Sequence, residues 1–182
     1  MTPDPPPRLA PRLPLPPYTY VTGHFPHPTR DRQGHSYQVA PAAQSFDPAR
    51  WHESETLLHA ADLFNHGYYW EAHEAWESLW HACGRTGTAA DFLKGLIKLA
   101  AAGVKAREGR TGGVRRHASR ALELFRHTSA ALPLEIKRYL GLSLDEVSAF
   151  AAALAGGEIV PVSPSFDEPV QPVWPFKLRV ES

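Results

Sequence analysis

The chain has 182 residues, with 19 Lys and Arg against 19 Asp and Glu, and 43% of its residues are hydrophobic. This length suits one domain with extensions, and the composition is ordinary for a globular protein. Cys83 is the only cysteine, which excludes an intrachain disulfide and CxxC zinc sites and favours a cytoplasmic location. No run has signal-peptide or membrane-span character, so we expect no membrane partner.

Charge is unevenly distributed along the chain. Residues 47–82 carry one Lys or Arg against seven Asp or Glu, whereas residues 83–138 carry twelve against four. Acidic helices that pack beside basic helices explain this pattern simply, and we prefer that interpretation. A basic face for an anionic partner is the alternative.

The N-terminal residues 1–46 are rich in proline and show little helical periodicity. We predict a proline-rich arm here, partly disordered, with the first 17 residues disordered or polyproline-like. Within the arm, the aromatic and His-rich stretch Tyr18–Tyr37 is a candidate to lie ordered against the main domain. The helical domain is placed at residues 47–157, and an extended tail that packs on the bundle at residues 158–182.

Turn and cap residues predict the first two helices. Asp47 is a good N-cap and Pro48 suits the first helical position, so a helix is expected from Asp47 to about Asn65. Gly67 can adopt the left-handed conformation that ends helices. A second helix is predicted over about residues 68–82.

Periodicity and caps predict the rest of the bundle. A third helix covers about residues 89–107, where Gly95 and Gly103 would allow close helix approach, and a fourth covers about residues 114–132. A short helix is expected over residues 133–140. The capping box that begins at Ser143 opens a last helix. The sequence therefore predicts an all-α fold, a compact bundle of about five helices without a convincing strand.

The second helix carries the side chains that are the strongest candidates for metal binding or catalysis. At about 100° per residue, His73, Glu77 and His81 form a ridge beside an aromatic stripe. Glu71 and Glu74 lie further round the same helix. Three interpretations stay open, and the first, which we prefer, is a buried polar network in which Glu74 or Glu77 holds His73.

The second interpretation is a divalent metal site, with His73 and Glu77 as ligands on neighbouring turns. One helix supplies too few ligands, so others would come from another helix or from the arm, where the candidates are His24, His27, Asp31 and His35. The third interpretation is a metal-free acid–base pocket, with His73, Glu74 and Glu77 as catalytic candidates.

A second candidate region is the glycine-rich turn before the fourth helix. Six arginines surround it: Arg107, Arg110, Arg115, Arg116, Arg120 and Arg126. A helix start of this kind can bind an anion. The turn lacks the GK[ST] of a Walker loop, and no aromatics interleave with the arginines, so nucleic acid is not an expected partner. A solvated face is the preferred interpretation.

The sequence resembles the domain-of-unknown-function family 309 (DUF309) in three blocks. They are FNHGYYWEAHEAWESLW over Phe64–Trp80, FLKGLIKLAAAGVKAREG over Phe92–Gly109, and VRRHA over Val114–Ala118. Together they cover about residues 50–155. The resemblance implies a compact bundle of short helices in a cytosolic protein, and it supplies no reaction. It implies that the characteristic positions are Glu71, His73, Glu74, Glu77 and Trp80.

Three functions follow as hypotheses. The preferred one is a small binding or scaffold module that self-associates through its bundle, which makes a homo-oligomer the expected partner. The first alternative is a metal-binding protein or hydrolase-like enzyme centred on the EAHExxE helix, with a divalent metal as the cofactor. The second alternative is anion or nucleic-acid binding by the Arg-rich turn. The sequence leaves enzymatic activity undecided because no complete catalytic set is found.

Overall fold

The structure, a computed structural model, describes residues 7–39, 45–163, 166 and 169–181. In this part of the chain five α-helices form the bundle: α1 (Glu55–Asn65), α2 (Tyr69–Ala82), α3 (Thr88–Arg107), α4 (Thr111–Ala131) and α5 (Leu144–Gly156). A 3-10 helix (Pro48–Glu53) precedes α1, and β1 (Arg138–Tyr139) pairs antiparallel with β2 (Leu142–Ser143). The predicted all-α bundle of about five helices is confirmed.

Short-range hydrogen bonds explain where several helices begin and end. The Oγ of Ser143 accepts a hydrogen bond from the Glu146 backbone N–H at 3.2 Å, so the predicted capping box opens α5. Gly67 has a φ of +89° and separates α1 from α2 as predicted. None of the described helices is long and apolar enough to cross a membrane.

The helix predicted from Asp47 to Asn65 is interrupted. Ser54 is extended, with φ −82° and ψ 96°, and its Oγ accepts the Leu57 N–H at 3.2 Å to begin α1. Asp47 caps the preceding 3-10 helix instead, through the Ala49 N–H at 3.0 Å. A serine that can cap the next turn therefore competes with helix continuation.

The short helix predicted over residues 133–140 is wrong, because the chain forms the β1–β2 hairpin here. Leu140 and Gly141 both have positive φ, 46° and 78°, as a two-residue hairpin turn requires. Leu140 and Leu142 are each 3% exposed. Burial of these two side chains stabilises a backbone that the local sequence disfavours for leucine.

The bundle is arranged around α3, which packs against α2 on one side and α4 on the other. Two glycines of α3 allow this close approach, as predicted. A Cβ at Gly95 would lie 2.4 Å from the Phe125 ring, and one at Gly103 would lie 2.3 Å from the Tyr69 ring. Helix α1 packs on α2, and α5 packs on α4.

Aromatic rings near the C-terminus lie against the bundle. Trp174 is 2% exposed, and its ring centroid lies 5.0 Å from Tyr69 and 5.3 Å from Phe150. Phe176 stacks on Phe150 at 3.9 Å. The division of the chain at residues 46/47 and 157/158 stays a prediction. The parts of the disorder prediction that concern residues 1–6 and 40–44 lie outside the described residues.

Truncation of Trp174 tests this packing. We expect Trp174→Ala to lower the free energy of unfolding by about 3–5 kcal/mol, because it removes a buried ring and leaves a cavity. Urea denaturation followed by circular dichroism measures the change. Leu134→Ala is the control, since Leu134 is 88% exposed, and it should change stability by less than about 0.5 kcal/mol. Equal stabilities of the two variants would contradict the packing.

Candidate functional site

Glu71, at the start of α2, binds residues of the arm. Its side chain is buried, and the carboxylate accepts hydrogen bonds from Thr19 Oγ1 at 2.8 Å and the Tyr20 backbone N–H at 2.9 Å. His35 Nε2 lies 3.1 Å from the same carboxylate. A buried carboxylate with three partners has a structural role. A buried polar network therefore surrounds Glu71, and the network that we expected around His73 stays a prediction.

Asp62 on α1 provides a second attachment for the arm. It is 1% exposed and accepts hydrogen bonds from the backbone N–H groups of Leu9 at 2.8 Å and Ala10 at 2.9 Å, and from Arg8 Nε at 3.0 Å. His59 lies one turn earlier, and its buried Nδ1 has no hydrogen-bond partner in the described part of the chain. Burial and the Arg8 charge lower the pKa of His59, and Asp62 opposes this effect.

Two other motif residues hold the tail. The Asn65 side chain donates to the Leu178 carbonyl at 2.9 Å and accepts from the Leu178 N–H at 2.7 Å. The hydroxyl of Tyr69 accepts from the Val173 N–H at 3.1 Å, and burial raises the pKa of Tyr69. Contacts within the fold therefore account for three residues of the motif, which are Asn65, Tyr69 and Glu71.

The candidate site consists of three other side chains of α2. His73, Glu74 and Glu77 each place one potential metal-ligand atom within 4.8 Å of the other two. His73 Nδ1 lies 3.2 Å from Glu74 Oε1, and their side chains are 27% and 47% exposed. Among the described residues, Glu77 has no hydrogen bond and no ion pair within 4.0 Å. The ligand atoms are thus close together and open to solvent.

The arm residues considered as further metal ligands have other contacts. The ring of His24 stacks on Phe166 at 3.9 Å, and the ring of His27 lies edge-on to Trp70 at 5.6 Å. His35 contacts Glu71, as described above. The three-residue cluster therefore includes none of the arm candidates, which were His24, His27, Asp31 and His35.

Helix α3 places cations beside the cluster. Lys94 Nζ lies 4.0 Å from the ring centroid of Trp80, which is half-buried rather than part of the closed core. Lys98 lies one turn further along α3, near Glu77. Burial and the charges of Lys94 and Arg120 lower the pKa of Lys98, and Glu77 opposes this effect. The ridge of α2 therefore faces a basic edge of α3.

Helix α4 adds His117 to this surface. Burial lowers the pKa of His117, and the neighbouring charges of Lys98, Arg116 and Lys105 lower it further. An electrostatic interaction with His73 acts in the same direction. In the described part of the chain, neither His117 nor Lys98 has a hydrogen bond or an ion pair within 4.0 Å. We call the surface formed by His73, Glu74, Glu77, Lys98 and His117 the α2–α4 face.

Neither Lys98 nor His117 is among the site residues that the sequence predicted. The i, i+4 spacing of Lys94 and Lys98 shows that they share one side of α3. Only the packing of the three helices shows what that side faces.

The Arg-rich turn is partly used by the fold. Arg107 is 3% exposed, and its guanidinium donates to the Gly67 carbonyl at 3.0 Å and to the Gln171 carbonyl. Burial lowers the pKa of Arg107. Glu108 lies 3.5 Å from Arg110. One of the six predicted arginines therefore holds the tail and is not available to an anion.

Comparison with known proteins identifies the central region. A family model described as Domain of unknown function (DUF309) matches residues 57–117. The predicted resemblance to DUF309 is confirmed over these residues. The DUF309 region runs from α1 into α4 and contains all five residues of the α2–α4 face. A search of the curated proteins finds no match to the chain.

The structural role of Glu71 can be tested. Glu71→Gln should lower the free energy of unfolding by about 1–3 kcal/mol, because the amide NH₂ would face buried donors. Glu74→Gln is the control, since Glu74 lies on the same helix and is 47% exposed, and it should leave stability nearly unchanged. Urea denaturation measures stability, and hydrogen exchange at Tyr20 reports the arm contact. Unchanged exchange at Tyr20 would contradict the role.

His59 predicts a pH dependence of stability. Its pKa is lowered in the folded state, so as the pH falls below about 6.5 the unfolded chain binds the proton first. The free energy of unfolding should therefore decrease on acidification until the folded pKa is passed. His59→Leu removes this contribution, so its stability relative to the original chain should rise between pH 7 and pH 5 in urea denaturation. A difference that stays constant across this range would refute the assignment.

Proposed function

We propose that the DUF309 region is a small binding module whose ligand is a divalent metal ion held by His73, Glu74 and Glu77. The observation that carries the proposal is the approach of three potential ligand atoms to within 4.8 Å of one another. Imidazole nitrogen and carboxylate oxygen form a donor set that suits Zn²⁺ and related transition-metal ions. We choose Zn²⁺ as the test ion.

Distances within the cluster support this proposal. Nitrogen and oxygen ligands lie about 2.0–2.2 Å from zinc, which separates two tetrahedral ligands by about 3.4 Å. His73 Nδ1 and Glu74 Oε1 are already 3.2 Å apart. Glu77 is one turn from His73, so rotation about its side-chain bonds can shorten the largest separation of 4.8 Å.

Exposure favours a ligand over a purely structural network. A structural network is normally buried with its polar atoms paired, as at Glu71. His73 and Glu74 are instead 27% and 47% exposed. Self-association and a cytoplasmic location stay predictions.

A hydrolase-like activity would depend on this metal. Three protein ligands leave a coordination position for water, as in catalytic zinc sites. The Arg-rich turn receives less support as a binding site, because the Arg107 guanidinium is engaged with two backbone carbonyls.

Calorimetric titration of tag-free protein with Zn²⁺ tests the proposal. We expect one bound equivalent and an increase in melting temperature, because the ion binds the folded state. His73→Ala and Glu77→Gln should each weaken binding at least about 10-fold, or about 1.4 kcal/mol. His81→Ala is the matched control, since His81 is an exposed histidine on the next turn of α2. Absence of stoichiometric binding, or equal binding by His73→Ala, would overturn the proposal.

A further inference from the structure

We propose that the α2–α4 face binds a small molecule through an oxyanion, a phosphate or carboxylate group that bridges the metal and the side chains of Lys98 and His117. This inference rests on the proposed metal site and specifies the class of ligand that the site takes. The argument depends on three features of the face: its charge balance, the alignment of its helices and its unpaired polar groups.

The charge balance leaves the face positive once a metal is bound. A divalent ion is neutralised by the carboxylates of Glu74 and Glu77, since His73 binds as a neutral ligand. The charge of Lys98 then has no counterpart. Two other cations nearby are already paired, since Lys105 lies 2.6 Å from Glu108 and Arg120 lies 2.7 Å from Glu123. An anion is the ligand that this electrostatic environment favours.

Contacts between α2 and α3 place Lys98 beside Glu77. The Lys94 ammonium lies over the Trp80 ring at 4.0 Å, which shows which parts of the two helices lie side by side. Lys98 lies one turn after Lys94 on α3, and Glu77 lies about one turn before Trp80 on α2. The ammonium of Lys98 is therefore beside the carboxylate that would hold the metal.

Contacts between α3 and α4 bring His117 to the same place. Gly113 lies against Lys105, since a Cβ at Gly113 would be 2.8 Å from the Lys105 Cγ. His117 lies one turn after Gly113 on α4, and Lys98 lies two turns before Lys105 on α3. His117 thus faces Lys98 across the helix interface, and the two side chains can donate to one anion.

Lys98 and His117 are half-buried, and neither has a hydrogen bond or an ion pair within 4.0 Å in the described part of the chain. A partly buried polar group without a partner is unfavourable, and an oxyanion would satisfy both groups.

A small oxyanion fits this face better than a nucleic acid. A nucleic acid is held by several cations along its phosphate backbone, whereas Lys98 is the one Lys or Arg among the five residues of the α2–α4 face. Single-stranded nucleic acids stack their bases on exposed aromatic rings. Trp80, the aromatic ring next to the cluster, already has Lys94 over it at 4.0 Å. A ligand with one or two oxyanion groups avoids both difficulties.

Calorimetric titration of zinc-loaded, tag-free protein with methylphosphonate tests the inference. We expect one site in the zinc-loaded protein and at least about 10-fold weaker binding without zinc. Lys98→Met keeps the length of the side chain and removes its charge, and it should weaken methylphosphonate binding at least about 10-fold without weakening zinc binding. His117→Gln should reduce methylphosphonate affinity in the same direction. Lys137→Met is the control, since Lys137 is exposed and distant in sequence from the face.

The outcomes separate the two proposals. If zinc binds but methylphosphonate does not, or if Lys98→Met binds it as tightly as the original chain, the oxyanion inference is wrong and the metal site stands. If zinc does not bind, both proposals fail. Binding of an oligonucleotide that needs Lys98 but not zinc would also overturn the inference in favour of a nucleic-acid surface.

Discussion

Buried polar side chains of the central helices form hydrogen bonds with segments that are distant in sequence. These hydrogen bonds connect the non-helical parts of the chain to the bundle. Asp62 and Glu71 each bond backbone N–H groups of residues before position 40, and Asn65 bonds the backbone of Leu178. Arg107 donates to the carbonyl of Gln171. A buried polar group is costly without partners, so each of these side chains requires its distant segment to be in place.

This requirement divides the residues of the EAHE motif by role. Glu71 is used by the fold, because its carboxylate is buried with three partners. His73, Glu74 and Glu77 have no comparable burial, and their ligand atoms lie together at the surface. Two glutamates only three positions apart thus have different environments, since one turns toward the arm and the other toward solvent.

Packing of α3 between α2 and α4 creates the surface on which the proposals rest. Its glycines let Phe125 and Tyr69 approach closely, which brings three helices together at short range. The ridge of α2, which carries Glu77, then lies beside the basic edge of α3. The acidic part of the sequence, residues 47–82, contains α2, and the basic part, residues 83–138, contains α3 and α4. Both interpretations of this charge distribution, packed helices of opposite charge and a face for an anion, can therefore apply to the same surface.

Local sequence determined the helices, because caps and periodicity act between residues a few positions apart. Gly67 and the Ser143 capping box marked helix ends correctly. Tertiary structure decided the hairpin at Leu140, where burial outweighs local preference. It also decided the partners of Glu71, which lie 36 to 52 positions away, and the proximity of Lys98 to Glu77 and to His117. Sequence patterns identify residues whose side chains can bind a metal ion or take part in catalysis. Only long-range packing determines which of these side chains are paired within the fold and which stay open to a ligand.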